Sequence, residues 1–380
     1  MYYDWTAEEL ALKQSVAALL TQDAVAELGL LEDAELRQLK RITSRYLKAL
    51  SAVGYLEIAV GPVERGRLMQ LVAGQEELAK ASGSLFLAAE TTARIFGGLL
   101  AGFGERSAVG DIIQAVMRGD VIAGVAMTES DENATEPRPT TAGVRDGTDW
   151  VVSGKKDYVT NAPIADWIAV VGAAEGRRAV FLVEPPQTGV TVGPRMQTLG
   201  FNGVAVSRLE LDSVRVPQDR VIGPFVDEAP LDFLAAMQDL VLSLAAVGLQ
   251  FRTTTEAKKH ALTHHRDGKD VFRHQEVRFK LAEMLTWAQT SQLLTYRAAW
   301  LYATGDPEAR TVLHCAKVFC AEGAEQVTAM AMQILAGRGY LSGNPVEQAY
   351  RDAKLTGIAG TTSERARMAI AADLLKRHQV

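Results

Sequence analysis

The chain has 380 residues, 48% of them hydrophobic and 23% charged, with a net charge of −6 and two cysteines. This composition excludes a disordered chain, and the acidic balance argues against a nucleic-acid footprint, which needs a clearly basic face. At about 150 residues per domain the length suits two or three domains. Folding a chain this long buries roughly three quarters of its unfolded surface, so neither disulfides nor a structural metal are required.

The first residues, through about 118, read as helix. Thr6-x-x-Glu9 is a capping box, with Asp4 as an alternative cap, and Leu10, Leu12, Val16, Leu19 and Leu20 follow at helical spacing. Leu47–Ala52, Leu68–Leu78 and Leu85–Leu100 continue in the same style. The opening stretch has no basic n-region and no long apolar run, which predicts neither a signal peptide nor a membrane span.

The character changes near Asp120. From there to about Pro224 short β-rich runs alternate with turn residues: Trp150–Val152, Trp167–Val171, Ala179–Val183 and Val204–Leu211. Asp146-Gly147 between extended pieces is a hairpin signal. No helix of ten or more residues is expected between these strands, which favours an antiparallel barrel or sandwich over a parallel sheet. The helical pattern returns at Asp232 and runs to the C-terminus. Leu240, Leu244, Val247 and Phe251 form a stripe, and the run Leu240 to Leu249 is too short to span a bilayer. Cys315 and Cys320 would lie about 140° apart around a helix, so a disulfide is not expected and a reducing cytoplasm is.

Isolated motifs say little. Gly337-Arg338-Gly339 lacks the third glycine of a dinucleotide loop and follows a helical segment rather than a strand. His260, His264, His265 and His274 cluster, but no glutamate follows His260 as HExxH needs, and a solvated helix end explains them. Asp131, Glu132 and Glu136 lack the glycine and spacing of a calcium loop. There is no GxSxG elbow, P-loop or CxxC pair.

Four stretches taken in order resemble the acyl-CoA dehydrogenase family. Val125-Ala126-Met127-Thr128-Glu129 is similar to the start of L-T-E-P-G-x-G-S-D, and Gly154-Lys155-Lys156-Asp157-Tyr158-Val159-Thr160-Asn161-Ala162 to G-x-K-x-[FWY]-I-T-N-A. Leu199-Gly200 through Leu211, then Val214-Arg215-Val216-Pro217 and Ile222-Gly223, resembles the strand pair closing the β-domain. Gln333-Ile334-Leu335-Ala336-Gly337-Arg338-Gly339-Tyr340, Tyr350-Arg351-Asp352-Ala353-Lys354 and Gly360-Thr361-Thr362-Ser363-Glu364 resemble the C-terminal signature. The resemblance spans about Leu12 to Leu375. It implies an α+β fold with an N-terminal helical domain (1–118), a central antiparallel β-domain (119–227) and a C-terminal four-helix bundle (228–380).

The resemblance also implies a flavoprotein with FAD between the β-domain and the C-terminal helices. Thr128, with Met127 beside it, would meet the pyrimidine side of the flavin. Thr160 would reach the N5 side and Tyr158 would pack on the ring. A flavin needs such an aromatic or apolar wall and a few donors that set its potential. Gln333, Gly337 and Gly339 would pack on the pyrophosphate and adenine of a neighbouring subunit's FAD, which implies a homodimer or homotetramer. Thr362 would meet the adenosine half, and Glu364 is counted with the cofactor contacts. Arg351 and Asp352 read as a structural ion pair.

The sequence departs from the family where the family keeps its carboxylate base. Gly360 occupies the place of the usual glutamate, and Gln238 the alternative place on the first long helix of the C-terminal unit; neither can act as a general base. Asp239 is the neighbouring candidate, although adjacent helix positions point about 100° apart. The family's Arg and Phe of the Y-x-x-x-R-x-x-F-G segment fall at His264 and Asp267, and its G-x-G-S serine at Ala134, with Asp131 and Asn133 in place of glycines. These changes weaken the expected grip on the FAD pyrophosphate and on a CoA thioester.

The reading is therefore an FAD-dependent oxidoreductase acting on an acyl thioester, carried by CoA or an acyl carrier protein, in a specialised pathway. Its electrons would pass to an acceptor or to oxygen, with no nucleic-acid or membrane partner. The alternatives are a flavin-dependent monooxygenase or oxidase on the same fold, or a non-catalytic binding protein that kept the fold.

Overall fold

In a computed structural model of the chain, residues 5–129, 139–266 and 268–377 are described. Thr6 caps α1 (Ala7–Leu19): its hydroxyl accepts from the Glu9 N–H at 3.2 Å, and the Glu9 carboxylate accepts from the Thr6 N–H at 2.9 Å. Then come α2 (Gln22–Gly29), α3 (Leu36–Ala52), α4 (Tyr55–Val60), α5 (Arg65–Ala81), α6 (Gly83–Glu90), α7 (Gly98–Phe103) and α8 (Arg106–Met117). A π-helical stretch, Thr91–Gly97, joins α6 to α7. From α6 through this stretch every residue is buried, so the segment shows no apolar stripe, and its polar side chains, Glu90 and Arg94 among them, are buried too.

Apart from a short two-stranded ribbon, His265–Arg266 with Lys269–Asp270, the strands are β1 (Ala123–Ala126), β2 (Ala142–Asp146), β3 (Asp149–Thr160), β4 (Trp167–Ala174), β5 (Arg177–Val183), β6 (Val190–Val192), β7 (Val206–Val216) and β8 (Val221–Ile222). They form one sheet in the order β6-β7-β3-β2-β4-β5-β8, with β1 also on β4. The β2–β3 hairpin turns at Gly147-Thr148, with Gly147 at φ +64° in the first central position, where a two-residue loop needs it. Most pairs are antiparallel as expected, but β1 and β2 both run parallel to β4, so the sheet is mixed. β1 and β2 lie end to end along one side of β4, Ala126 facing Val170 and Ala142 facing Ala173, while β5 takes the other side.

The C-terminal unit holds α9 (Ala229–Thr263), α10 (Gln275–Ala303), α11 (Ala309–Leu335), α12 (Pro345–Ile358) and α13 (Ser363–Arg377). Helices α9, α10 and α11 pack on one another, α12 lies on α9 and α11, and α13 lies on α11. Leu240, Leu244 and Val247 are buried as the stripe requires. Gly83–Phe103 and α9 are each long and apolar enough to cross a membrane, but 89% and 78% of their most apolar windows are buried inside the fold. They are core helices.

One buried carboxylate ties the helical units together. Glu76 on α5 accepts from Lys13 of α1 at 3.1 Å, from Lys80, and from Gln292 and Tyr296 of α10. The expected ion pair between Arg351 and Asp352 does not form, because neighbours on a helix point apart. Arg351 pairs instead with Glu347, one turn back, at 2.5 Å. Asp352 accepts from the Phe201 N–H at 2.6 Å and faces Arg252 at 3.7 Å.

Candidate active site between the sheet and the C-terminal bundle

A cleft of about 620 Å³ lies where the C-terminal ends of β1 and β3 face α9, α11 and the loop after α12. Its sheet wall is built around a buried ion pair. The Lys156 ammonium donates to the Met127 carbonyl at 3.0 Å and to the Glu129 carboxylate at 2.5 Å. Glu129 also accepts from the Thr140 N–H and hydroxyl, both at 2.6 Å, and from the Thr141 N–H at 3.1 Å. Burial opposes the charge on Glu129, but these bonds outweigh it and hold its carboxyl down to about 2. The Asp157 N–H donates to the Thr128 carbonyl at 2.9 Å. Residues 127–129 are thereby locked to 156–157.

The lock requires an irregular strand. The register of β3 against β7 shifts between Lys156 and Val159, a bulge that aims side chains afresh. Within it Tyr158 takes φ +57°, rare for a bulky residue, and its ring stands 66% exposed on the cleft wall. Thr128 and Thr160 line the same wall, and neither hydroxyl has a hydrogen-bond partner among the described residues.

The helical wall carries Gln238 from α9, Arg310 and His314 from α11, and Gly360 and Thr361 from the loop after α12. Gly360 has φ +63°, and a Cβ there would stand 2.9 Å from Leu242 Cδ1 and 3.0 Å from Asp239 Oδ1. Asp239 itself is fully buried. Its Oδ1 accepts from the Thr361 N–H at 2.9 Å, and its Oδ2 lies 3.5 Å from His314 Nδ1. Lys317, one turn along α11, is also buried and donates to the carbonyls of Thr356 and Thr361 (3.1 Å for Thr361). The loop is thus held from below by a carboxylate and an ammonium.

Of the residues singled out in the sequence, the cleft brings together Met127, Thr128, Tyr158, Thr160, Gln238 and Gly360. Asp239 sits behind the 360–361 backbone and not on the cleft surface. Thr362 is not among the cleft-lining residues; it precedes α13, and its hydroxyl accepts from the Arg365 N–H at 3.3 Å. Glu364 is exposed in the first turn of that helix. Gln333, Gly337 and Gly339 lie at the far end of α11, with Gln333 and Gly337 on the surface. Asp131, Asn133, Ala134 and Asp267 lie outside the described residues. His264 ends α9, its ring 4.8 Å from that of His260. Sequence reasoning missed His314: it is one polar residue among several on α11, and only the fold sets it against Asp239.

A larger cavity of about 910 Å³ lies among α4, α7, α8 and the start of α9, and Asp232 lines both spaces. It contains neither the threonine pair nor the exposed Tyr158 ring.

Residues 124–214 match the acyl-CoA dehydrogenase middle domain, and residues 237–375 match the acyl-CoA dehydrogenase C-terminal domain. The chain is 32% identical over 327 residues to the cyclohexane-1-carbonyl-CoA dehydrogenase of Geobacter metallireducens, covering 83% of this chain and 84% of that one. Its fold matches the butyryl-CoA dehydrogenase of Megasphaera elsdenii with a TM-score of 0.88, at 21% identity over 99% of this chain and 100% of that one. It also matches a prolyl acyl carrier protein oxidase with a TM-score of 0.85, at 21% identity over 98% and 100%. These family matches make the chain an oxidoreductase of acyl thioesters. The chain belongs to the acyl-CoA dehydrogenase family.

Proposed function

We propose that the cleft binds FAD along its sheet wall and presents an acyl thioester, carried by CoA or by an acyl carrier protein, to it from the helical side. The observation that carries this reading is the exposed Tyr158 ring on the β3 bulge, flanked by the free hydroxyls of Thr128 and Thr160. A flat aromatic face with two hydroxyl donors suits a planar heteroaromatic ring. Bound FAD would supply a two-electron acceptor for a hydride. The chain's own part is to orient the ring through Met127, Thr128, Tyr158 and Thr160, and to place the substrate against the Gln238–Gly360 wall. Thr362 and Glu364 would serve the adenosine half.

The same reading makes the active form a homodimer or homotetramer. Gln333 and Gly337 are exposed and far from their own cleft, and Tyr340 and Leu341 beside them are 81% and 64% exposed. Such a surface suits the cofactor of a second copy. The units 1–118, 119–227 and 228–380 are taken as the domains, and two unpaired cysteines suit the cytoplasm.

The test is direct. Purified protein should show flavin absorption, release FAD on denaturation, and scatter light as a dimer or larger. Its flavin should bleach anaerobically with at least one member of an acyl-CoA and acyl-carrier thioester panel. Colourless protein that takes up no added FAD would sink the reading. Turnover with a dye acceptor and without oxygen separates a dehydrogenase from an oxidase or monooxygenase.

A further inference from the structure

Both positions where the family resemblance places a carboxylate base hold residues without one, Gly360 and Gln238. Among the described residues that line the cleft, the groups able to take a proton are Asp157, Glu228, Asp232 and His314. Asp157 is paired with Arg208 at 2.7 Å. Glu228 and Asp232 are exposed at the rim, and Asp232 faces Arg310 at 3.8 Å. Asp157 and His314 are both buried, 8% and 7% exposed, but Asp157 is already committed to Arg208, whereas His314 shares its wall with Gly360 and Gln238.

Its environment is that of an oriented base. His314 Nδ1 and Asp239 Oδ2 are both buried, both lack a hydrogen-bond partner, and lie 3.5 Å apart. That distance is at the outer limit of a hydrogen bond, and such contacts tighten when substrate closes a site. Asp239 cannot swing away, because its other oxygen is held by the Thr361 N–H. An Nδ1–H directed at this carboxylate fixes the tautomer with its lone pair on Nε2, the nitrogen left to face the cleft.

We infer that His314 is the catalytic base of this enzyme, with Asp239 as its positioning residue. The inference rests on the thioester reading above. His314 Nε2 takes the α-proton of the thioester. The α-C–H electron pair becomes the Cα=Cβ bond, and the β-hydrogen would leave with its own pair to bound FAD, which would supply the two-electron acceptor the oxidation needs. The charges facing His314 are Asp239 from α9, Lys317 and Arg310 from its own helix, and Arg365 from α13. Lys317 and the imidazolium formed in the step both lie against the one carboxylate.

The experiment compares the wild-type holoenzyme with His314→Gln, His314→Ala and Asp239→Asn. Flavin bleaching is followed anaerobically with cyclohexane-1-carbonyl-CoA and butyryl-CoA. Deuterium uptake at the α-carbon is followed by mass spectrometry with acetyl-CoA and phenylacetyl-CoA, which have no β-hydrogen and cannot be oxidised. Both His314 variants should lose about 10²–10⁴-fold in bleaching and in exchange, with FAD content unchanged, and added imidazole should restore part of the alanine variant's rate. Asp239→Asn keeps an oxygen for Thr361 but turns an amide N–H towards Nδ1, which puts the ring proton on Nε2. It should lower kcat by a similar factor with little change in KM, as a wrong tautomer does in other His-based sites, and alter the acid limb of the pH–rate profile. Should the alanine variant lose FAD, the glutamine variant, which keeps bulk and a donor, carries the test. His314→Gln within about threefold of wild type in bleaching and exchange would overturn the inference, as would loss in Asp239→Asn alone. Wild-type protein that neither these CoA thioesters nor the acyl-carrier thioesters of the panel above bleach or exchange overturns the thioester reading itself, and the inference with it; that outcome is distinct because no variant is needed to see it.

Discussion

The two walls of the cleft are built on different principles. On the sheet side, the residues proposed to hold the flavin come from two short stretches, 127–129 and 156–160, clamped by the buried Glu129–Lys156 pair and by backbone hydrogen bonds. On the helical side, Gln238, His314 and Gly360 come from three distant segments, joined through Asp239 and Lys317 beneath the surface. A clamped wall fixes the shape a cofactor needs. An assembled wall leaves the reactive group free to sit on any element that points into the same space. The first wall resembles the family closely, whereas the second lacks its carboxylate in both expected places.

The sharpest way to break this contrast is to remove the clamp. Lys156→Met leaves the Glu129 carboxylate buried without its counter-charge, at a cost of about 3–5 kcal/mol. Urea unfolding should show the loss, and the remaining folded protein should be poor in FAD because Met127 and Thr128 are no longer held. A loss under about 1 kcal/mol would mean the pair does not organise the wall.

The clamp also has a pH signature. The Glu129 carboxyl is held at about 2 against an ordinary 4.5, so the unfolded chain binds the proton more readily than the folded one. Its contribution to stability is therefore complete above about pH 4.5 and is lost as pH falls from there through about 2. Unfolding midpoints measured across this range should fall with pH in the wild type and fall less steeply in Glu129→Gln.

On the assembled wall the corresponding change is Gly360→Ala. A left-handed conformation costs a non-glycine residue about 1–2 kcal/mol, and the new Cβ would press on Leu242 and on the Asp239 carboxylate. Thermal unfolding should register the cost. Gly360→Glu carries the same strain, so placing a carboxylate back at the family's position should destabilise the loop rather than restore an ordinary base. A Gly360→Ala protein as stable as wild type would show that the loop has room, and the missing glutamate would then need another explanation.

Helix starts, the hairpin at Gly147 and the apolar stripe of α9 are legible in the sequence because each rests on residues a few positions apart. The Thr128, Tyr158 and Thr160 wall is legible through resemblance, since its residues lie in two continuous motifs. The parallel pairing of β1 and β2 with β4 is not, because it depends on which distant strand each one meets. The bulge at Tyr158 is hidden too: Lys-Asp-Tyr-Val-Thr reads as plain strand, and the contacts that accompany the bulge, Lys156 to Glu129 and Asp157 to Thr128, come from a distant segment. His314 and Asp239 meet because α9 and α11 pack together, and no spacing in the sequence marks them as partners.

The smallest expected effect falls on that bulge and separates fold from function in one residue. Tyr158 holds φ +57°, and replacing it by glycine relieves about 1–2 kcal/mol of backbone strain. Glycine also gains freedom in the unfolded chain, which takes back about 0.4–1 kcal/mol. The apoprotein of Tyr158→Gly should therefore unfold within about 1 kcal/mol of wild type. Its FAD affinity should nonetheless drop about 2- to 10-fold, since an aromatic contact contributes about 0.5–1.5 kcal/mol beyond its buried area. Titration of apoprotein with FAD, followed by flavin fluorescence, measures the second quantity independently of the first. Equal affinity in the two proteins would place the flavin ring away from Tyr158 and return the positive φ to the clamp alone, as the strain of fitting β3 around Thr128 and Glu129.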